Sequence, residues 1–182
     1  MSTENLKRTP LNEAHRKLGG KMVDFGGWDM PVQYPAGVIE EHLRTRTRSG
    51  LFDVSHMGEI WVEGEDAIDF VHRLTTNDVT KLVDGQAHYS ALTNDKGGVV
   101  DDLLVYRFDC DKLLLVVNAG TTEKDWDWIK SHHTNPAVEL RNVSADYCQL
   151  ALQGPDALRI LQTLTDVPLD EIKYYHFQKG AV

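Results

Sequence analysis

Two adjacent carboxylates stand inside an apolar run, VVDDLLVY, residues 99–106. Burying unpaired acids in such a run costs free energy unless they are used or satisfied. On a strand, side chains alternate, so Asp101 and Asp102 should point to opposite faces. Asp102 then shares its face with Val100, Leu104 and Tyr106, an acid beside a phenol on a mostly oily surface. Such a group can have its pKa raised by desolvation, or can hold a developing cation. The alternative is structural: one Asp ends a turn and the other satisfies backbone donors.

The second set is DVSHMGE, residues 53–59. Asp53, Ser55 and His56 invite a nucleophile–base reading, yet neighbours on an extended chain face opposite ways, and triads normally assemble across a fold. A hydrogen-bonded junction between domains accounts for them better. Met57 could pack on a flat ligand or simply fill core. The eight histidines lie in no zinc motif and there is no HExxH, so no metal is assigned. Gly26-Gly27 and Gly97-Gly98 read as turns, not as GxGxxG or a P-loop. Trp126 and Trp128 lack the basic surround of a nucleic-acid platform; Trp126 with Ile129 should pack on a sheet.

These groups must be positioned by regular elements. Thr9-Pro10 should cap and open a helix that Gly19-Gly20 ends, with a strand over 21–25. GGWDMPVQYPAG reads as loop, and a polar helix covers 38–48. GEIWVE is a strand; Ala67, Phe70, Val71 and Leu74 then mark an amphipathic helix. Residues 87–93 and VVDDLLVYRF should form a hairpin around NDKGG, followed by LLLVV, a helix over 121–133 capped by Thr121, and a strand at 138–140. Strand, helix, strands, helix, strand makes a split βαβ, ferredoxin-like arrangement. Beyond it come a strand over 147–152, a helix after Gly154-Pro155-Asp156, and YYHFQKGAV as a strand cut short. The expected fold class is α+β. Residues 56–142 form a ferredoxin-like domain inserted into an incomplete first domain, 1–55 and 143–182.

Hydrophobic residues at 41% and charged residues at 26% suit a globular chain with a core. The net charge of −9 argues against nucleic acid and anionic membrane as partners, both being polyanions. Cys110 and Cys148 read as reduced, partly buried thiols. No apolar run is long enough to span a bilayer. MSTENLKRTP shows no secretory or transit signal, so a cytoplasmic setting is expected.

KRTPL (7–11), MVDFGGWDMPVQY (22–34), GLFDVSHMGE (50–59), LTTND (74–78), GGVVDDLLVY (97–106), VVNAG (116–120), EKDWDWI (123–129) and ALQGPDA (151–157) together resemble the glycine cleavage T-protein family, in order and spacing. The likeness runs from about Leu6 to the last residue, and DVSHMGE after FGGWDMP is its most specific part. It implies an aminomethyltransferase. Such an enzyme moves the one-carbon unit from aminomethyl-lipoyl H protein to tetrahydrofolate, giving 5,10-methylenetetrahydrofolate, ammonia and dihydrolipoyl H protein. The implied fold is three domains around a folate channel, the second ferredoxin-like. By motif, Asp102 would be the catalytic carboxylate near folate N10. Met57, Tyr89, Tyr106 and Asn118 would contact the pterin, with Tyr175 a weaker match.

The family's later TGYTGE-type motif and third domain are absent from these residues. The chain therefore reads as truncated, and the isolated piece is expected to have little or no transferase activity. GGVVDDL alone would also fit a folate domain of a dimethylglycine or sarcosine demethylating flavoprotein, or a non-catalytic folate-binding maintenance module. The first needs a flavin half upstream; the second would be expected to lack DVSHMGE.

Overall fold

The computed structural model describes residues 6–182. The expectation drawn from the first ten residues therefore lies partly outside the described ones. In chain order the elements are α1 (Asn12–Lys17), β1 (Met22–Phe25), β2 (Trp28–Pro31), α2 (Val38–Thr47), β3 (Gly50–Asp53), β4 (Gly58–Glu63), α3 (Ala67–Leu74), β5 (Gln86–Thr93), β6 (Val99–Asp109), β7 (Lys112–Val117), α4 (Thr122–Ser131), β8 (Glu139–Asn142), β9 (Leu150–Gln153) and α5 (Ala157–Gln162).

The chain divides into two compact units. One runs through His56 and resumes over Cys148–Asp170 and Gly180–Val182; the other holds Met57–Tyr147 and Glu171–Lys179. In the first, β1 and β2 pair as an antiparallel hairpin and β3 pairs with β9. Strand β2 lies inside the segment expected to be loop. Gly26 and Gly27 both take positive φ, which lets the chain reverse and pair WDMP back onto MVDF. Thr9 does not cap α1: its hydroxyl donates to Asp53 Oδ2 at 2.6 Å instead.

The second unit is built on one antiparallel sheet in the order β5-β6-β7-β4-β8. Period-2 alternation sends Ile60 and Val62 of β4, Leu103 and Val105 of β6, and Leu113, Leu115 and Val117 of β7 to one face. Helix α3 covers that face with Ala67, Phe70, Val71 and Leu74, the four positions that the helical spacing picks out, and Ile129 of α4 completes the core. Trp126 is partly buried against it. The opposite face carries a smaller cluster, Trp61, Leu114, Val116 and Val143, with Met57, Leu104, Tyr106 and Phe108 partly buried against it. Among the described residues, no α-helix contributes a side chain to that cluster.

Three further expectations are corrected. Thr121 precedes α4 but makes no side-chain cap bond. YYHFQKGAV is not a strand; it touches the β5 edge only around the isolated bridge of Gln86 with His176. Both cysteines are exposed rather than partly buried. No helix of the described residues is long and apolar enough to cross a membrane.

Candidate functional site

The residues singled out from the sequence, Met57, Tyr89, Asp102, Tyr106, Asn118 and Tyr175, all fall in the second unit. Strand β6 places Asp102 opposite Ala91 of β5, and Tyr89 opposite Leu104, so Tyr89 and Asp102 are neighbours on one face. The Tyr89 hydroxyl donates to Asp102 Oδ2 at 2.8 Å. The last pair between β6 and β7 at this end is Leu103 with Val117. Asp101 and Asp102 therefore overhang the end of β7, and Asn118, the next residue after β7, fills the gap. Its Nδ2 donates to Asp102 Oδ1 at 3.0 Å and lies 2.9 Å from Asp101 Oδ1.

The two aspartates do face opposite sides, and their surroundings differ accordingly. Asp102 meets the phenol of Tyr89 on the half-open face. Asp101 meets Lys124 of α4, whose Nζ is 3.0 Å from its Oδ2. Burial alone would raise the Asp101 carboxyl, but hydrogen bonds from Thr121, Lys124 and Asn118 outweigh it and hold its pKa well below the usual range. Behind Lys124 stands Asp125, fully buried, whose carboxyl is pushed up to about 6 by burial and by the charge of Asp101.

The remaining members gather on the same face as Asp102. Tyr106 follows it by four residues along β6, and burial raises its phenol, with Tyr175 adding to the effect. Tyr175 is also near enough to Tyr89 to raise that phenol, though less than the Asp102 hydrogen bond does. Tyr175 is the only non-glycine residue of positive φ among the described residues, at 56°. Its carbonyl accepts from the Ala87 amide at 2.8 Å, which ties this strained residue to the β5 edge. The ring of Phe177 packs on Tyr106 and Phe108, and Met57 packs within the same cluster. The face thus offers a carboxylate flanked by a phenol and an amide, walled by aromatic rings and a thioether. That combination suits a flat heterocycle with a basic or reacting nitrogen.

The Asp53, Ser55 and His56 group makes no nucleophile–base pair. Asp53 binds Thr9 and His15, the latter at 2.8 Å, and accepts from the Ser55 amide at 3.0 Å; its carboxyl is held down to about 2 because these bonds outweigh burial. The Ser55 hydroxyl bonds the backbone of Gln149, and the His56 ring packs on Phe25 and Trp28. Sequence reading missed the His15 link, whose Nδ1 also meets the Tyr34 hydroxyl at 2.7 Å beside a cavity of about 390 Å³. Nothing in local spacing signals a contact 38 residues apart. Asp109, Cys110 and Asp111 form an exposed turn whose ligand atoms lie within 4.8 Å of one another, which needs no ion to explain it.

Residues 11–182 match the family model described as the GCVT N-terminal domain. An aminomethyltransferase of Desulfitobacterium hafniense is 54% identical over 177 residues, 97% of this chain and 48% of that protein. One of Desulforamulus reducens is 56% identical over 179 residues, 98% of this chain and 49% of that protein. The crystal structure of glycine cleavage system aminomethyltransferase T from Bartonella henselae superposes with a TM-score of 0.88 at 38% identity, over 94% of this chain and 46% of that one. The chain spans about half the length of the relatives it matches.

Proposed function

The chain belongs to the GCVT N-terminal domain family, and on that premise we propose that it works as part of an aminomethyltransferase of the glycine cleavage system. The reaction is transfer of the one-carbon unit from aminomethyl-lipoyl H protein to tetrahydrofolate, with release of ammonia and dihydrolipoyl H protein. H protein and tetrahydrofolate are accordingly the proposed partners, in the cytoplasm. The observation that carries the reading is Asp102, held by Tyr89 and Asn118 at the rim of an aromatic face.

Both oxygens of Asp102 accept one hydrogen bond each, which leaves lone pairs for a further donor. An N–H of the folate amine supplies one. As that nitrogen attacks the incoming carbon, Asp102 orients it, takes its proton and stabilises the iminium-like cation. Tyr106, Tyr89, Tyr175 and Met57 bracket the pterin, and Asn118 offers its remaining carbonyl Oδ1 to the heterocycle. Holding both reactants on one face supplies proximity.

The same proposal includes the finer reading of the second unit as a split βαβ, ferredoxin-like domain inserted within a folate-binding domain. What supports it is the order β7–β4–β8, in which β7 and β8 run parallel on either side of β4 and α4 is the crossover between them.

The test is Asp102→Asn in the complete protein, assayed with lipoylated H protein and tetrahydrofolate. Transfer should fall by about two to four orders of magnitude, while tetrahydrofolate binding stays within a few-fold. Activity within a few-fold of the parent would remove Asp102 from the chemistry.

A further inference from the structure

We infer that Asp101, anchored by Lys124, is a positioning residue that fixes which end of the Asn118 amide faces Asp102; the inference rests on the reading of Asp102 as the catalytic carboxylate. Asn118 Nδ2 lies 2.9 Å from Asp101 Oδ1, 3.0 Å from Asp102 Oδ1 and 3.2 Å from the Asp102 carbonyl oxygen. A carboxylate and a peptide carbonyl only accept, so the NH2 end must face them. A flipped amide would bring its carbonyl oxygen against two carboxylate oxygens and a third acceptor. Asp101 therefore decides the orientation together with Asp102, and the decision is independent of any ligand.

Asp101 is itself fixed. Its Oδ1 accepts from the Asp102 amide at 2.9 Å, and its Oδ2 is 3.0 Å from Lys124 Nζ. The Asp101 side chain is 12% exposed and that of Lys124 is 47% exposed, so only the carboxylate side of the pair is shielded from water. Lys124 also donates to the Val100 carbonyl, and its Nζ lies 3.5 Å from Asp125 Oδ1. The ammonium is thus held between two carboxylates on the helix-covered side of the sheet. Asp102 lies on the other side. Asn118, just past the end of β7, bridges the two sides, so anchorage on one side is transmitted to the carboxylate on the other.

With Asp101→Asn the side chain at 101 can donate as well as accept. The Asn118 amide is then kept NH2-inward only by Asp102 Oδ1 and the Asp102 carbonyl, so its hold loosens and Asp102 loses one of its two donors some of the time. The first measurement is hydrogen exchange of the Asn118 side-chain NH2, in the complete protein with labelled asparagine. Exchange should be at least about tenfold faster in Asp101→Asn than in the parent. The second is steady-state transfer: kcat should fall about 10- to 100-fold while KM for tetrahydrofolate moves less than about threefold. Lys124→Met should act in the same direction, and the double variant should be no slower than Asp101→Asn, because the two act through one path.

Unchanged exchange at Asn118 overturns the inference whatever the activity does. Faster exchange with unchanged kcat, or a rise in KM alone, also overturns it. If the parent shows no transfer, the proposed function fails, and the exchange result alone decides whether Asp101 orients the amide. Circular dichroism verifies that each variant is folded; should Asp101→Asn not fold, Lys124→Met carries both measurements.

Discussion

Glu59 shows how a single carboxyl can set the pH response of the fold. It is 3% exposed, shares its face of β4 with Trp61, and burial pushes its pKa from an ordinary 4.5 up to about 7. The folded chain therefore holds this proton over a range where the unfolded chain has released it. Stability must fall as pH rises from about 4.5 to about 7, and the cost is fully present above that. Glu59→Gln should remove it. Denaturant melts at pH 5 and pH 8 should show the Gln variant gaining on the parent with rising pH, by up to ~3 kcal/mol. An unchanged difference would mean that Glu59 is better solvated than its burial implies. Asp125, raised to about 6, contributes with the same sign between 3.8 and 6 in both proteins, so the difference isolates Glu59. Some of the residue scale was legible in advance. The apolar frame of VVDDLLVY marked Asp102, and alternation assigned its face. The Asp101–Lys124–Asn118 bridge was not legible, because it depends on where β7 stops relative to β6, a register that periodicity does not encode.

At the scale of elements, the second unit follows its hydrophobic pattern closely. The run GEIWVE became β4, and the i, i+3, i+4, i+7 spacing became α3. The join between them depends on Gly64. It has φ +124°, and a Cβ there would come within 2.0 Å of the Ala137 carbonyl oxygen. Its amide also donates to Asp111 at 2.9 Å. Gly64→Ala should therefore destabilise the chain by about 2–3 kcal/mol, from backbone strain and overpacking together. A chemical denaturation midpoint measures this, and a loss below about 0.5 kcal/mol would mean that the turn relaxes freely. Where elements were misread, short-range chemistry was overruled by distant partners. Gly and Pro around WDMP signalled loop, yet the Gly26-Gly27 turn lets it pair with β1. Thr9 carries a cap signature, but a buried carboxylate 44 residues away takes its hydroxyl.

For the whole molecule, buried apolar side chains are distributed unevenly. Apart from Met30, every buried hydrophobic residue among those described lies in the second unit. In the first, the buried side-chain hydrogen bonds centre on Asp29 and Asp53, which are hubs for Asn12, Arg16, Thr9 and His15. Composition and charge gave a globular, acidic chain, and the motif series pointed to the family that the comparisons then showed. Division into units could be read only coarsely, since Glu171–Lys179 joins the second unit through edge contacts that no composition shift announces. The face that bears Asp102 is where the proposed chemistry must take place. Its most direct test is a crystal structure of the complete protein with tetrahydrofolate bound. The pterin should lie against Tyr106, Tyr175 and Met57, with N10 within about 3.2 Å of the Asp102 carboxylate or one water away. A pterin seated elsewhere, with Asp102 turned to bulk solvent, would contradict it.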